Sequence, residues 1–225
     1  FRRQSTASHS APVTGTSGAV GSATLDVLQQ LLADPMWQDA RADIRLSNAL
    51  VGYVMIPASE QLLGVADEVA LAQLKFQQVH GGDVAQWEVR LDNLISGTAQ
   101  LAAALDRRFL GRLHEILGAA HLKPGSIQPL LMHDLNRVGR KLVGEDLWFA
   151  HVEPMLLTLC RITAGRLVSL ATATVTLPLS SLLEAQVMQA ALVAGTATFP
   201  QRLYVYGSGV SGEASPAGRV DWANG

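Results

Sequence analysis

An α/β protein of two lobes, each built from a mixed sheet with crossover helices, is the fold class the sequence predicts. Three observations carry that expectation. Residues 146–209 run as strand, strand, strand, helix, strand. Residues 23–143 alternate strand and helix patterns in the same manner, and 48% of the 225 residues are apolar, enough to bury a substantial core. The expected division is a flexible lead at 1–22, a first lobe at 23–143, a second lobe at 144–209 and a flexible tail at 210–225.

The lead is rich in Ser, Thr, Ala and Gly and holds too few large apolar side chains to offset the entropy of ordering it. From Thr24, Leu25, Leu28 and Leu32 form one helical stripe that Pro35 ends. Residues 42–57 place Ile44 and Leu46 in alternation, turn near Ser47-Asn48 and continue through Leu50 to Ile56, which reads as a hairpin or a bent strand pair. Val65, Val69, Ala72, Phe76 and Val79 recur at helical spacing, and Gly81-Gly82 supplies a left-handed stop. Trp87 to Leu91 and Leu101 to Leu105 read as strands around a turn at 93–98. A second amphipathic helix follows on Phe109, Leu113, Ile116, Leu117 and Ala120, closed by Lys123-Pro124-Gly125. A short strand at Ser126 to Leu130 leads into a helix aligned on Leu131, Leu135, Val138 and Leu142, which stops near Gly144.

The second lobe opens with Leu147 to Glu153, Leu156 to Ile162 and Leu167 to Thr176 as three strands joined by tight turns. Ser181 and Glu184 have the spacing of a capping box and start a helix, and Arg202 to Tyr206 closes the unit as a strand. Beyond Gly207 the chain is Gly, Ser, Pro and Ala without a period.

A formal net charge of −2 and a pI near 6.3 provide no broad basic field, so no nucleic-acid partner is expected. Cys160 is the single cysteine, which excludes an internal disulfide and a zinc cluster, and its apolar neighbours mark it as a buried filler. The most apolar window, Leu167 to Leu192, is broken by Pro178, two serines and Glu184, so no membrane span is expected. No signal-peptide pattern opens the chain, and since it starts at Phe1 that absence says little.

Several chemical motifs are approached and missed. Gly207 to Gly212 fits Gly-x-Gly-x-x-Gly after a strand, but Pro216 and Gly218 follow where a dinucleotide fold needs a helix. His114-Glu115 lacks a second histidine four positions on, because the next is His121. Ser208 and Ser211 do not form a Gly-x-Ser-x-Gly elbow. His133 with Asp134, and His151 with Glu153, are candidate acid-base pairs by proximity alone.

Three stretches carry a resemblance: Ile44 to Pro57, Ser126 to Leu130, and Trp148 to Pro154. With the order of elements, they make the chain similar to the actin-like (ribonuclease-H-like) cytoplasmic components of bacterial envelope machines. These are the L component of type II secretion systems and the M protein of type IV pilus assembly. In nucleotide-binding members of that superfamily the first hairpin carries Asp-x-Gly, whose acid handles the metal and whose glycine lets backbone amides wrap phosphate. Here the motif falls on Arg45-Leu46-Ser47, so a cation replaces the acid and a side chain replaces the glycine. The second hairpin falls on His151-Val152-Glu153, followed by Pro154, which has no N–H to donate. Gly207-Ser208-Gly209 resembles the loop that approaches adenosine.

The vestigial cleft implied by the resemblance therefore comprises Arg45, Ser47, Glu153, Gly207, Ser208 and Gly209. An arginine cannot hold magnesium, so hydrolysis is not expected, no cofactor is expected, and ATP binding is expected to be weak or absent. The resemblance implies a non-catalytic scaffold that docks a cytoplasmic secretion or pilus ATPase to inner-membrane assembly-platform subunits, itself cytoplasmic and peripheral at that membrane. The alternative is an active kinase or ATPase of the same fold using Glu153 and His151. A filament-forming structural protein is a third.

Overall fold

The computed structural model describes residues 17–58, 64–81, 83–92, 99–139, 146–176, 178–193, 202–207 and 218–220. Its elements are α1 (Ser17–Leu31), β1 (Arg41–Leu46), β2 (Gly52–Ile56), α2 (Val65–His80), β3 (Trp87–Leu91), β4 (Gln100–Asp106), α3 (Arg107–Ala119), β5 (Lys123–Pro129), α4 (Leu130–Gly139), β6 (Leu147–Glu153), β7 (Leu156–Thr163), β8 (Arg166–Thr174), α5 (Leu179–Val193), β9 (Leu203–Gly207) and β10 (Gly218–Val220). The α/β class with mixed sheets is as expected.

Two compact units divide the chain. The first comprises residues 1–44 and 107–126, the second residues 45–106 and 127–225. This division crosses the boundary expected at 143/144, because the three-stranded sheet of the first half belongs with the five-stranded sheet of the second.

In the first unit α1 and α3 are neighbours. Arg112 joins them, donating to Gln29 at 2.9 Å and to Glu115 at 3.0 Å. α1 begins at Ser17, inside the expected flexible lead. Once the Leu25 stripe nucleates a helix, each further residue costs little, so helix extends into a weakly patterned segment. α3 buries Leu113, Ile116 and Leu117 and ends where His121 takes a left-handed φ of 54°. The chain then re-enters as β5, where Lys123 N–H donates to Ala40 O at 3.0 Å. β5 starts three residues before the expected strand and includes Pro124. Proline is tolerated there because β1 and β5 form a two-stranded sheet, leaving every strand an edge.

The second unit holds two sheets. β2 and β3 flank β4 antiparallel, covered by α2 through Ala72 and Phe76 against Val54, Ile56, Ala102 and Ala104. The expected pairing of residues 42–57 is corrected here: β1 pairs with β5 and β2 with β4, so the two never form a hairpin. Ser47 accepts the Ala49 N–H and opens a 3-10 turn over Asn48–Leu50, which turns the chain out of one sheet and into another.

The five-stranded sheet has the order β10-β9-β6-β7-β8, with β6 and β9 parallel and the other pairs antiparallel. Every residue of β6 is buried. Alternation sends Trp148, Ala150 and Val152 to one face, where they meet Leu182, Leu183 and Val187 of α5, and sends Phe149, His151 and Glu153 to the other. α5 begins at Leu179, with Leu182 N–H donating to Pro178 O at 3.1 Å, so Ser181 lies inside the first turn and not at the cap. β10 lies within the tail expected to be flexible. Its three residues pair with β9, whose backbone groups they satisfy, a role that three residues leave no periodic trace of.

Candidate functional site

On the sheet face opposite α5, polar side chains from three elements meet in the second unit. The 3-10 turn after β1 supplies Ser47 and Asn48, β6 supplies His151 and Glu153, and α4 supplies Asp134. Asn48, Asp134, His151 and Glu153 are all buried.

The Glu153 carboxylate accepts the Ser47 hydroxyl at 2.5 Å on one oxygen and the Asn48 backbone N–H at 2.9 Å on the other. Asn48 is the hub. Its Oδ1 accepts the Tyr53 hydroxyl at 2.6 Å and the Leu131 N–H at 3.1 Å, which orients the amide so that Nδ2 donates to His151 Nδ1 at 3.1 Å. With Nδ1 acting as acceptor, His151 carries its proton on Nε2, which donates to Asp134 Oδ2 at 2.9 Å. Glu153 Oε1 is 3.8 Å from His151 Nδ1, too long for a hydrogen bond and directed at a lone pair.

Burial pushes the Tyr53 hydroxyl far above the ordinary phenol range, and electrostatic coupling to the neighbouring Cys160 and Glu153 raises it further, so Tyr53 donates as a neutral phenol. Burial likewise pushes up the Cys160 thiol, which is fully enclosed, as the filler reading expects. The His151 ring stacks on Tyr206 at 6.1 Å between centroids.

Of the six residues of the expected cleft, Ser47 and Glu153 are brought into direct contact. Arg45 is exposed on β1. Gly207 ends β9 opposite Val152, at a φ of 149°, where a Cβ would stand 1.8 Å from the Val152 carbonyl oxygen. Close strand approach is therefore sufficient reason for that glycine. Ser208 and Gly209 lie outside the described residues, as does the rest of the Gly-x-Gly-x-x-Gly stretch.

The histidines of the two candidate acid-base pairs find other hydrogen-bond partners. His151 bonds to Asp134, while His133 Nδ1 stands 3.2 Å from Gln128 Nε2. Asn48 and Tyr53 were not visible as site residues, and Asp134 was visible only as a neighbour of His133. A signal existed for the pairing of His151 with Asp134: a histidine inside the apolar run Leu147 to Val152 must find a buried partner, and Asp134 falls on the apolar stripe of Leu131, Leu135 and Val138. Among the described residues no three His, Cys, Asp or Glu side chains are placed to hold a metal ion, and no helix is long and apolar enough to cross a membrane.

No protein-family model and no curated protein matches the chain in sequence. Solved structures do match. The chain is similar to a protein of the PilM–PilN type IV pilus biogenesis complex, with a TM-score of 0.62, 13% identity, and 89% of this chain and 72% of that one covered. It is also similar to a Bacteroides thetaiotaomicron protein of unknown function with an actin-like ATPase fold, at a TM-score of 0.58 and 12% identity, covering 83% and 68%. The fold is actin-like. A third similar structure is the cytoplasmic domain of EpsL, an inner-membrane component of the Vibrio cholerae type II secretion system. Its TM-score of 0.49, at 11% identity and 88% and 73% coverage, adds no weight to the fold assignment.

Proposed function

We propose that this chain is a non-catalytic actin-like scaffold of a bacterial secretion or type IV pilus-like assembly platform. It docks a cytoplasmic secretion or pilus ATPase to inner-membrane subunits and is held at the cytoplasmic face of that membrane through them. One observation carries the reading. At the two segments that the resemblance aligns with the phosphate-binding motifs, the turn after β1 and the end of β6, the hydroxyl of Ser47, the N–H of Asn48 and the carboxylate of Glu153 satisfy one another. A phosphate would have to displace a buried, doubly hydrogen-bonded carboxylate, and a magnesium ion would have to take that carboxylate away from both of its donors. The fold likeness to a protein that forms a complex with PilN supports a partner of the same kind here.

Isothermal titration with magnesium-ATP tests the nucleotide half, and no binding heat and no phosphate release are expected. Tight binding with turnover would defeat the proposal in favour of a kinase or ATPase, in which case Glu153→Gln should abolish the released phosphate. Co-purification with the cytoplasmic tail of a membrane-anchored platform subunit tests the partner half, and retention of that tail is expected.

A further inference from the structure

His151 is 1% exposed and stands between two carboxylates, with Asp134 Oδ2 2.9 Å from its Nε2 and Glu153 Oε1 3.8 Å from its Nδ1. A backbone donor decides which of its nitrogens carries the proton. The Leu131 N–H can only donate, and it lies 3.1 Å from Asn48 Oδ1, so the oxygen of that amide is fixed on the Leu131 side and Nδ2 faces His151 Nδ1 at 3.1 Å. Two donors cannot share that contact, so Nδ1 presents a lone pair to the amide while a carboxylate oxygen stands just beyond hydrogen-bond reach of the same nitrogen.

The ring is enclosed by groups from five elements. Asp134 comes from α4, Glu153 from β6 itself, and Tyr53 of β2 reaches it through Asn48. Thr158 of β7 and Tyr206 of β9 are its neighbours across the sheet, Tyr206 stacking on the ring and accepting from Arg137 of α4 at 3.4 Å. Burial pushes up both the Tyr53 hydroxyl and the Cys160 thiol of β7, so neither gives up its proton at neutral or acid pH. The imidazole and the two carboxylates beside it are left to respond to acid.

We propose that His151 is a proton-operated latch, which holds the turn of residues 47–50 against β6 while Nδ1 is bare and releases it when Nδ1 takes up a proton from solvent. A proton on Nδ1 points at the hydrogens of Asn48 Nδ2, donor against donor. The amide cannot answer by turning over, because its nitrogen would then face the Leu131 N–H in a buried site. Glu153 Oε1 accepts the new proton by closing on Nδ1, forming a charge-assisted bond. That oxygen is the one that holds the Asn48 backbone N–H at 2.9 Å, so its movement toward the ring draws it away from the turn. The turn is the passage from β1 to β2, and one proton therefore governs how firmly that passage is tied to the centre of the five-stranded sheet.

Nitrogen-15 spectra of the histidine rings and amide hydrogen exchange, followed together by NMR on the full chain from about pH 8 to about pH 5, test this over the range in which imidazole gains a proton. At the upper end His151 is expected to carry a proton on Nε2 alone. As pH falls Nδ1 is protonated, and over the same interval the Asn48 amide should lose protection more than about tenfold relative to the amides of β7. His151→Gln has no proton to gain in this range and should hold the Asn48 amide at one level throughout. Glu153→Gln serves as the second variant should the first misfold: with no charge to close on Nδ1, release of the Asn48 amide should move to lower pH. His114→Gln, at an exposed position of α3, should leave the parent profile unchanged. A His151 that carries both protons at about pH 8, or that stays singly protonated to about pH 5, would overturn the proposal. So would an Asn48 amide indifferent to the second proton, the parent's loss of protection persisting in His151→Gln, or an unshifted release in Glu153→Gln.

Discussion

Asn48 shows how much one side chain can organise. Its amide oxygen receives two donors and its amide nitrogen orients His151, so the turn after β1, the start of α4 and the centre of β6 are tied at one residue. Asn48→Ala leaves the Tyr53 hydroxyl, the Leu131 N–H and the His151 Nδ1 without that partner in a buried site. A loss of about 3–5 kcal/mol is expected, read as a fall in the urea midpoint. pH acts on the same region. Tyr53 and Cys160 keep their protons in the folded chain above the pH at which they ionise when unfolded, so the folded state binds more protons in that range. Stability should therefore be level through neutrality and fall as pH rises past about 9, by up to ~1.4 kcal/mol per pH unit for each group. Denaturant midpoints measured from about pH 8 to about pH 11 check the sign, and a flat profile would contradict it.

At the level of elements, the helix α5 separates a motif from its role. Ser181 and Glu184 have the spacing of a capping box, yet the helix starts at Leu179 behind Pro178 and both side chains are exposed. Proline suits a helix start because its missing N–H would have been unsatisfied there in any case. Ser181→Ala should thus change the unfolding free energy by less than about 0.5 kcal/mol, where loss of a true cap would cost about 1 kcal/mol. Thermal melts of the two proteins distinguish these. The segment 42–57 makes the opposite point. Its two strands were legible from alternation, but their separation into different sheets was not, because alternation says which face a residue takes and nothing about which strand lies beside it.

For the whole molecule, β6 is where the order of elements becomes architecture. It lies between an antiparallel and a parallel neighbour, with α5 on one face and the polar network on the other, and all its side chains are buried. Its amides and those of β7 should exchange with solvent more slowly than those of β8 or of β3, which lie on outer edges. Hydrogen exchange followed by mass spectrometry measures this, and equal protection in β3 and β6 would count against the stated sheet order. The unit from three strands, a helix and a returning strand was readable because each connection is short or spans a crossover helix. The compact units were not, because their grouping depends on contacts between residues far apart in the chain.

The amino-acid order by itself determined the α/β class, most of the strands and helices and the burial of Cys160. These follow from period, turn chemistry and the functional groups each side chain owns. Only the tertiary structure decided that Glu153 is engaged by Ser47 and Asn48, that His151 pairs with Asp134 and not with its near neighbour, and that Gly207 is required by the Val152 carbonyl. Hydrogen-bond partners of buried polar groups are chosen by what packing brings within about 3 Å, and in this chain packing joins residues more than a hundred positions apart.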